Sequence, residues 1–394
     1  MYLLEKLVIK SNFSLPFNYR MEQSFFDCKT IFLISPEPWD YISVSKHHYA
    51  IALAKKGNTV CFINPPVKRI AESIVIEEVV GVKDLFVVSY KPFATGLRFL
   101  PRYFMNLIER KFLKKIEKRI NLNFDVILNF ENSRFYDFHF VSPEVLKIYF
   151  QVDQNQDFHP EIAARTADIV FAINDEILGI VKPFNENSFK ISHSFQGNLS
   201  EQAQQILEGK YIYTKAADRL QVMYVGNLDN EYIDYDLFEE VINGHPEVDF
   251  LLVGPYDQAG EMNSRIQKYS NAKFLGQVSS KKIPELLSSA DMLMLIYGRN
   301  FTFSSHKLLE YLGSGKAIAS TYMNEFAKEK SLVNMSINHE DYGKIFAETL
   351  NNLEQLNCPE KMKARITFAL DCTYPRQLDK IDELIRKTIS KKNN

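Results

Sequence analysis

Cysteine is scarce in this chain: Cys28, Cys61, Cys358 and Cys372 are the only four among 394 residues. None stands in a CxxC pair or a Cys/His spacing suited to zinc, and four are too sparse for a disulfide scaffold, so they read as reduced thiols of a cytosolic protein. No window approaches the ~18 apolar residues of a membrane span. The N-terminal stretch MYLLEKLVIKSNFSLPF is broken by acidic and polar residues before a signal-peptide core develops. The expectation is a chain neither exported nor membrane-spanning. No charge of one sign dominates, because 47 basic groups meet 49 acidic ones for a net −2, which excludes a general nucleic-acid binder. Internal repeats, low-complexity tracts and a DxD-type acidic cluster at a strand end are also missing. No metal is therefore expected.

What remains is an ordinary folded composition, 46% apolar and 24% charged, in a length suited to about two domains of ~150–200 residues. From residue 29 onward, short β-branched or aromatic runs alternate with amphipathic stretches, the pattern of parallel sheets covered by helices. One series places strands at 29–34, 59–63, 85–89, 125–129, 146–150 and 169–172. A second places them at 221–225, 249–253, 272–275, 292–296 and 317–320. The polar stretch 196–218 lies between the two series. The expected organisation is an N-terminal Rossmann-like domain over 1–195, a linker over 196–218, a C-terminal Rossmann-like domain over 219–373, and a final helix over 374–394 packing back on the first domain. Residues 1–28 form a partly apolar extension with no further reading. Doubly wound sheets bind ligands beyond the carboxyl ends of their strands, so the chemistry belongs in the loops that follow strands.

The most informative stretch is Ser304-Ser305-His306-Lys307-Leu308-Leu309-Glu310, followed by Tyr311-Leu312-Gly313-Ser314-Gly315. It reads as a serine-capped helix with a glycine stop. The open N–H groups and positive dipole end of such a helix favour a phosphate. Lys307 adds a full charge in the first turn, and Glu310, three residues on, offers a carboxylate to both hydroxyls of a ribose. The plain alternative is a solvated Lys/Glu pair on a capped helix. Three glycine turns close strands of the same sheet, at Gly226-Asn227, Gly254-Pro255 and Gly276-Gln277-Val278, where bare backbone lets a ligand approach closely. Arg299 lies in the polar loop just before the helix.

These residues resemble the carboxyl domain of the GT-B glycosyltransferases, the large group that includes retaining enzymes of cell-wall, capsule and exopolysaccharide synthesis. The resemblance covers about 220–321 and extends more loosely to 31–66 and 145–182. It implies an α/β fold of two Rossmann-like doubly wound domains facing a cleft. It also implies hexosyl transfer with retention, from a nucleoside-diphosphate sugar to a glycan or lipid-linked acceptor in surface polysaccharide synthesis. By the same resemblance Gly226 and the helix at Ser305 flank the donor diphosphate, the Gly276–Val278 loop meets the base, and Glu310 binds ribose. The chain departs from the pattern at Thr302, where the family has an acid. It departs again after Gly226, where Asn227-Leu228-Asp229-Asn230-Glu231 replaces a basic pair. Phosphate charge then falls to Lys307, the helix end, and Arg299 or His306.

In the first half, Trp39, Asp40, Lys46 and His47 follow the opening strand. Indole faces stack on sugar rings, and the polar groups are expected to grip hydroxyls or phosphate. Asp153, at another strand end, is the expected acceptor-orienting or catalytic carboxylate, with Lys307 as its electrostatic counterpart. Residues 98–119 carry eight basic and two acidic groups around the stripe Phe104, Ile108, Phe112, Ile116 and Ile120. Such a helix suits either an anionic membrane surface or a sheet with a solvated basic face. Rival functions on the same scaffold are a sugar-nucleotide epimerase and a non-catalytic sugar-nucleotide binder.

Overall fold

A computed structural model describes residues 24–41, 43–93, 101–153, 158–215, 217–299 and 306–392. The first half runs β1 (Thr30–Ile34), α1 (Ser45–Lys55), β2 (Thr59–Ile63), β3 (Ile74–Glu78), β4 (Leu85–Tyr90), α2 (Arg102–Ile120), β5 (Val126–Asn129), β6 (Leu146–Gln151), α3 (Pro160–Thr166), β7 (Ile169–Ala172), α4 (Asp175–Val181) and β8 (Ser188–Lys190). The second half runs α5 (Glu201–Leu207), β9 (Gln221–Val225), α6 (Tyr235–Gly244), β10 (Asp249–Val253), α7 (Glu261–Ile266), β11 (Ala272–Gly276), α8 (Ile283–Ser289), β12 (Met292–Leu295), α9 (His306–Ser314), β13 (Ala317–Ser320), β14 (Asn334–Met335), α10 (Tyr342–Asn351), α11 (Leu353–Leu356) and α12 (Pro359–Asp371). A last helix, α13 (Tyr374–Lys392), follows.

The strands β1, β5, β7, β12 and β13 are buried at every position. That is the signature of central parallel strands covered on both faces. The first sheet has the order β3-β4-β2-β1-β5-β6-β7-β8 and the second β11-β10-β9-β12-β13-β14. All pairings are parallel except β3 with β4. In each sheet the chain builds outward on one side and then returns to build on the other. The strand order therefore reverses between β1 and β5, and again between β9 and β12, and a crevice opens at the carboxyl end of each reversal.

The segment expected to be a linker differs from that reading. Within 196–218, α5 is capped by Ser200, whose side chain accepts from Ala203 N–H, and it buries Ala203 and Ile206 against Met362 and Ile366 of α12. Only two buried apolar residues drive this helix, so its pattern is too short to stand out. Helix α12 also carries the buried Arg365, whose guanidinium donates to the carbonyls of Leu332, Gly315 and Leu356 at 2.9, 2.9 and 2.8 Å. It thereby holds the end of α9 from behind. α13 packs chiefly on the first half: Tyr374, Leu378, Ile381 and Ile385 are buried in the first half's core. The two chain crossings between halves sit side by side, joined by a bridge between Phe195 and Thr373 and by Phe195 N–H donating to Cys372 O at 2.9 Å.

At the carboxyl edge of the first sheet, Arg134 ties four strand ends together. Its N–H groups reach Ser35 O (2.9 Å), Asn64 O (3.2 Å), the Tyr90 hydroxyl (2.6 Å) and both carboxylate oxygens of Glu131. Removing the guanidinium strands a buried carboxylate, a change that costs about 3–5 kcal/mol. Arg134→Met is expected to lower the melting temperature measurably. The double variant Arg134→Met/Glu131→Gln should recover part of that loss in the same thermal scan, because the stranded charge is then gone.

Candidate functional site

The second sheet's reversal point is built from glycine turns stacked along its edge. Gly226 N–H donates to Val253 O at 2.8 Å, and Gly254 N–H donates to Gly276 O at 2.9 Å. Gly254 has φ +142°, and a Cβ there would collide with the Gly226 carbonyl oxygen. Only glycine allows the two turns to approach so closely. A Cβ on Gly226 would in turn strike the ammonium of Lys307 and lie 3.1 Å from the Tyr224 hydroxyl. The lysine in the first turn of α9 thus reaches across to the bare backbone at the end of β9.

Several contacts hold that ammonium there. It lies 5.3 Å from the ring centroid of Tyr224 and 5.8 Å from that of Tyr297, and 3.4 Å from the Tyr224 hydroxyl. One turn on, the Tyr311 hydroxyl accepts from Val225 N–H at 2.8 Å, which locks α9 in register against β9. Burial pulls the Lys307 pKa down to about 8, with Glu310 opposing the shift. Burial likewise pushes the Glu310 carboxyl up to about 7, with Lys307 opposing. Both groups are held where their charged forms are weakly favoured, and an anionic ligand would strengthen the charge on Lys307. Glu310 makes no hydrogen bond among the described residues and borders a slot of about 60 Å³ with Gln196, Asn198, Ser280 and Ile283.

The remaining expected donor residues are dispersed around this centre. Asn227 is exposed, and its side chain accepts from Asp229 N–H (3.1 Å). Pro255 and Gln277 are exposed and Val278 is half-buried at the neighbouring turns. His306 is exposed, with its ring 6.5 Å from that of His193 in the first half. Arg299, expected to meet phosphate, is instead engaged on the surface by Glu340 at 2.5 Å. Ser304 and Ser305, with Thr302, lie outside the described residues.

On the opposite side of the cleft the expected gripping residues turn inward. Lys46 is buried, and its ammonium is shared between Asp153 (2.9 Å) and Glu37 (3.2 Å), so its charge is met within the protein. His47 is also buried and both ring nitrogens are spent: Nδ1 accepts from Val44 N–H (3.2 Å) and Nε2 therefore donates to Pro38 O (3.1 Å). Burial lowers its pKa, so the neutral ring persists. Contrary to expectation, His47 pins its own loop and has no nitrogen left for a ligand. Trp39 packs against His47 and Phe62 with centroids 5.2 and 5.0 Å away, and its backbone N–H donates to Asn64 (2.8 Å). The indole is thus part of the loop's own packing. Asp40 is exposed, and Asp153 stands half-exposed at the end of β6 with one oxygen on Lys46. Tyr224, Tyr311 and Glu37 are site residues that the sequence did not single out. They read as a strand position, a helix position and a loop acid.

Residues 219–355 match the family described as Glycosyl transferases group 1. Solved structures resemble the whole chain. Sucrose-phosphate synthase from Thermosynechococcus elongatus aligns at TM-score 0.62 and 13% identity, over 92% of this chain and 99% of that one. HepE from Anabaena, in complex with UDP and glucose, aligns at 0.57 and 12%, over 92% and 100%. An α,α-trehalose-phosphate synthase from Burkholderia xenovorans, in complex with glucose-6-phosphate, aligns at 0.60 and 11%, over 90% and 99%. These likenesses establish the GT-B fold. No curated protein sequence matches the chain.

The stacked turns make a sharp distinction between two small substitutions. Gly254→Ala drives a methyl into backbone and is expected to destabilise the second half, seen as a lower melting temperature. Gly226→Ala displaces the tip of a lysine but also strains a backbone at φ +159°, so it should lower the melting temperature less than Gly254→Ala does while moving the ammonium off the turn.

Proposed function

With its second half matched to group 1 glycosyl transferases in a GT-B chain, we propose that this protein transfers a hexose from a nucleoside-diphosphate sugar to a glycan or lipid-linked acceptor in surface polysaccharide synthesis. The observation that carries the reading is the Lys307 ammonium lying on the Gly226 turn, beside the amino end of α9. Backbone N–H groups, a helix dipole and a lysine converge there, as a diphosphate requires. Glu310, one turn along α9, would take the ribose hydroxyls. HepE from Anabaena, which shares this fold, is in complex with UDP and glucose, and a UDP-hexose is accordingly the first donor to test.

The chemistry is chiefly electrostatic. The bond between the anomeric carbon and the diphosphate oxygen breaks, its electron pair stays with the diphosphate, and Lys307 with the α9 N-terminus stabilises that charge. The acceptor oxygen then bonds to the anomeric carbon as its O–H bond breaks and the proton passes to the departing diphosphate oxygen, with Asp153 orienting the hydroxyl across the cleft. Retention, the stereochemistry we assign, requires attack from the face the diphosphate leaves, and comparing the anomeric configuration of donor and product by NMR decides it. The paired crossings at Phe195 and Thr373 form a natural hinge for closing the halves around both substrates.

We also assign α2 a role at an anionic membrane surface, on the cytoplasmic side. No helix among the described residues is long and apolar enough to cross a membrane. The apolar stripe of α2 divides in two. Phe112 and Ile116 are buried in the sheet packing, whereas Tyr103, Phe104 and Leu107 stand 68%, 51% and 37% exposed among basic residues. Flotation with anionic vesicles should carry the protein upward and neutral vesicles should not; equal behaviour with both would remove this role.

Donor binding gives the central test. UDP and UDP-hexoses should raise the melting temperature, because a ligand bound only by the native state stabilises it. Lys307→Ala should weaken donor binding by about 10- to 100-fold, the worth of a charge-assisted contact of ~1.5–3 kcal/mol. Absence of any shift across UDP, GDP, ADP and CMP conjugates would sink the reading. The pH profile of kcat/KM for the donor should be bell-shaped. Its acid limb falls as Glu310 protonates below about 7, and its alkaline limb falls as Lys307 loses its charge above about 8.

A further inference from the structure

We propose that the cavity under the first turns of α2 seats an uncharged sugar ring of the acceptor, held by Glu109 and the aromatic wall around Tyr136. This rests on the transferase reading above and adds to it the chemical class of the acceptor unit.

The cavity, about 350 Å³, lies where β2, β4 and β5 end, between Pro66, Phe93, the Ser133–Asp137 loop and α2. It opens at the same sheet edge that carries Lys46 and Asp153, and its size falls at the small end of the range for ligand pockets. The charges around it are met within the protein. Arg134 spends its N–H groups on Glu131, Tyr90 and two carbonyls. Asp137 is met by Asn106 at 3.2 Å, His139 at 2.5 Å and Arg102 at 3.9 Å. Glu109 differs. It is 5% exposed, and its one hydrogen bond among the described residues is Oε1 accepting from Phe135 N–H at 3.0 Å. The second oxygen is left to the cavity that the residue lines. Burial, reinforced by the nearby Asp137 and Glu131, pushes this acid up to about 8 against the opposing Phe135 N–H and Arg134. At neutral pH it is mostly the neutral acid, able both to donate and to accept.

The wall is aromatic and fixed. His159 stacks on Tyr136 at 4.2 Å, and Phe93 stacks on Tyr90 at 5.3 Å. Ring faces beside one neutral hydrogen-bonding group complement the C–H faces and hydroxyls of a sugar. A phosphate inside this cavity would meet cations already engaged by carboxylates, and would be buried at a cost. The geometry therefore favours a neutral ring over a sugar phosphate.

Ligand-observed NMR on the full chain tests this with methyl glycosides of glucose, galactose, mannose and N-acetylglucosamine, beside the corresponding hexose 6-phosphates. At least one glycoside should bind. Glu109→Gln, whose amide both donates and accepts, should keep that binding, whereas Glu109→Leu and Tyr136→Ala should weaken it at least tenfold. Tyr136→Ala alters only the cavity wall and decides the matter if Glu109→Leu does not fold. The assignment is overturned if no glycoside binds, if a 6-phosphate binds more tightly than its parent glycoside, or if folded Glu109→Leu and Tyr136→Ala bind like the wild type. UDP binding is followed in the same samples and should be untouched by these variants. Its loss in the wild type would count against the donor site alone, so the two readings fail separately.

Discussion

A lysine ammonium resting on bare backbone is the contact around which this molecule is arranged. For Lys307 to reach the end of β9, Gly226 must have no side chain, and for Gly226 to sit where it does, Gly254 must have none either. Tyr311 then fixes the register of α9 through Val225 N–H, and Arg365 holds the far end of that helix through Gly315 O. These contacts fix the place of a single positive charge. Its environment weakens that charge, drawing the pKa to about 8, so an anion arriving at the turn recovers part of the lost ionisation energy.

The two sides of the cleft differ in how their charge is balanced. On the first-half side, Lys46 is bracketed by Glu37 and Asp153, and Arg134 by Glu131. On the second-half side, Glu310 makes no hydrogen bond among the described residues and lies against a slot. The halves are also mechanically linked. α13 belongs by contact to the first half, with Lys56 paired to Asp379 at 2.6 Å and Asp382 accepting from Ser24 Oγ at 2.6 Å. The chain crosses between the halves twice at one place, where Phe195 and Thr373 are bridged.

The central strands were readable because burial on both faces demands unbroken apolar runs, as in TIFLI and TVCFI. Three edge strands escaped, among them the two-residue β14. β3, with burial falling to exposure along IVIEE, and β8, three residues long, lack that demand. α12 was unread for another reason: its buried face includes Arg365, a charge that sequence patterns assign to solvent. The same difficulty hid Glu109, which looks like any surface glutamate on a basic helix until the sheet and the Phe135 loop close over it. His47 shows the converse. A histidine in the first turn of a helix looks available, but its partners are a backbone N–H and the carbonyl of Pro38, which no spacing rule reveals.

Local chemistry was therefore decided along the chain: which runs become strands, where glycine opens a turn, and which helix start carries a lysine and a glutamate three residues apart. Those choices depend on a residue and its near neighbours, through steric limits on the backbone and periodic burial. Which of these groups meet was decided only by folding. Gly226 and Lys307, or Lys46 and Asp153, are distant in sequence, and parallel strands with crossing helices bring them within contact. Burial, and with it the weakened charges on Lys307 and Glu310, exists only once those distant segments have closed around them.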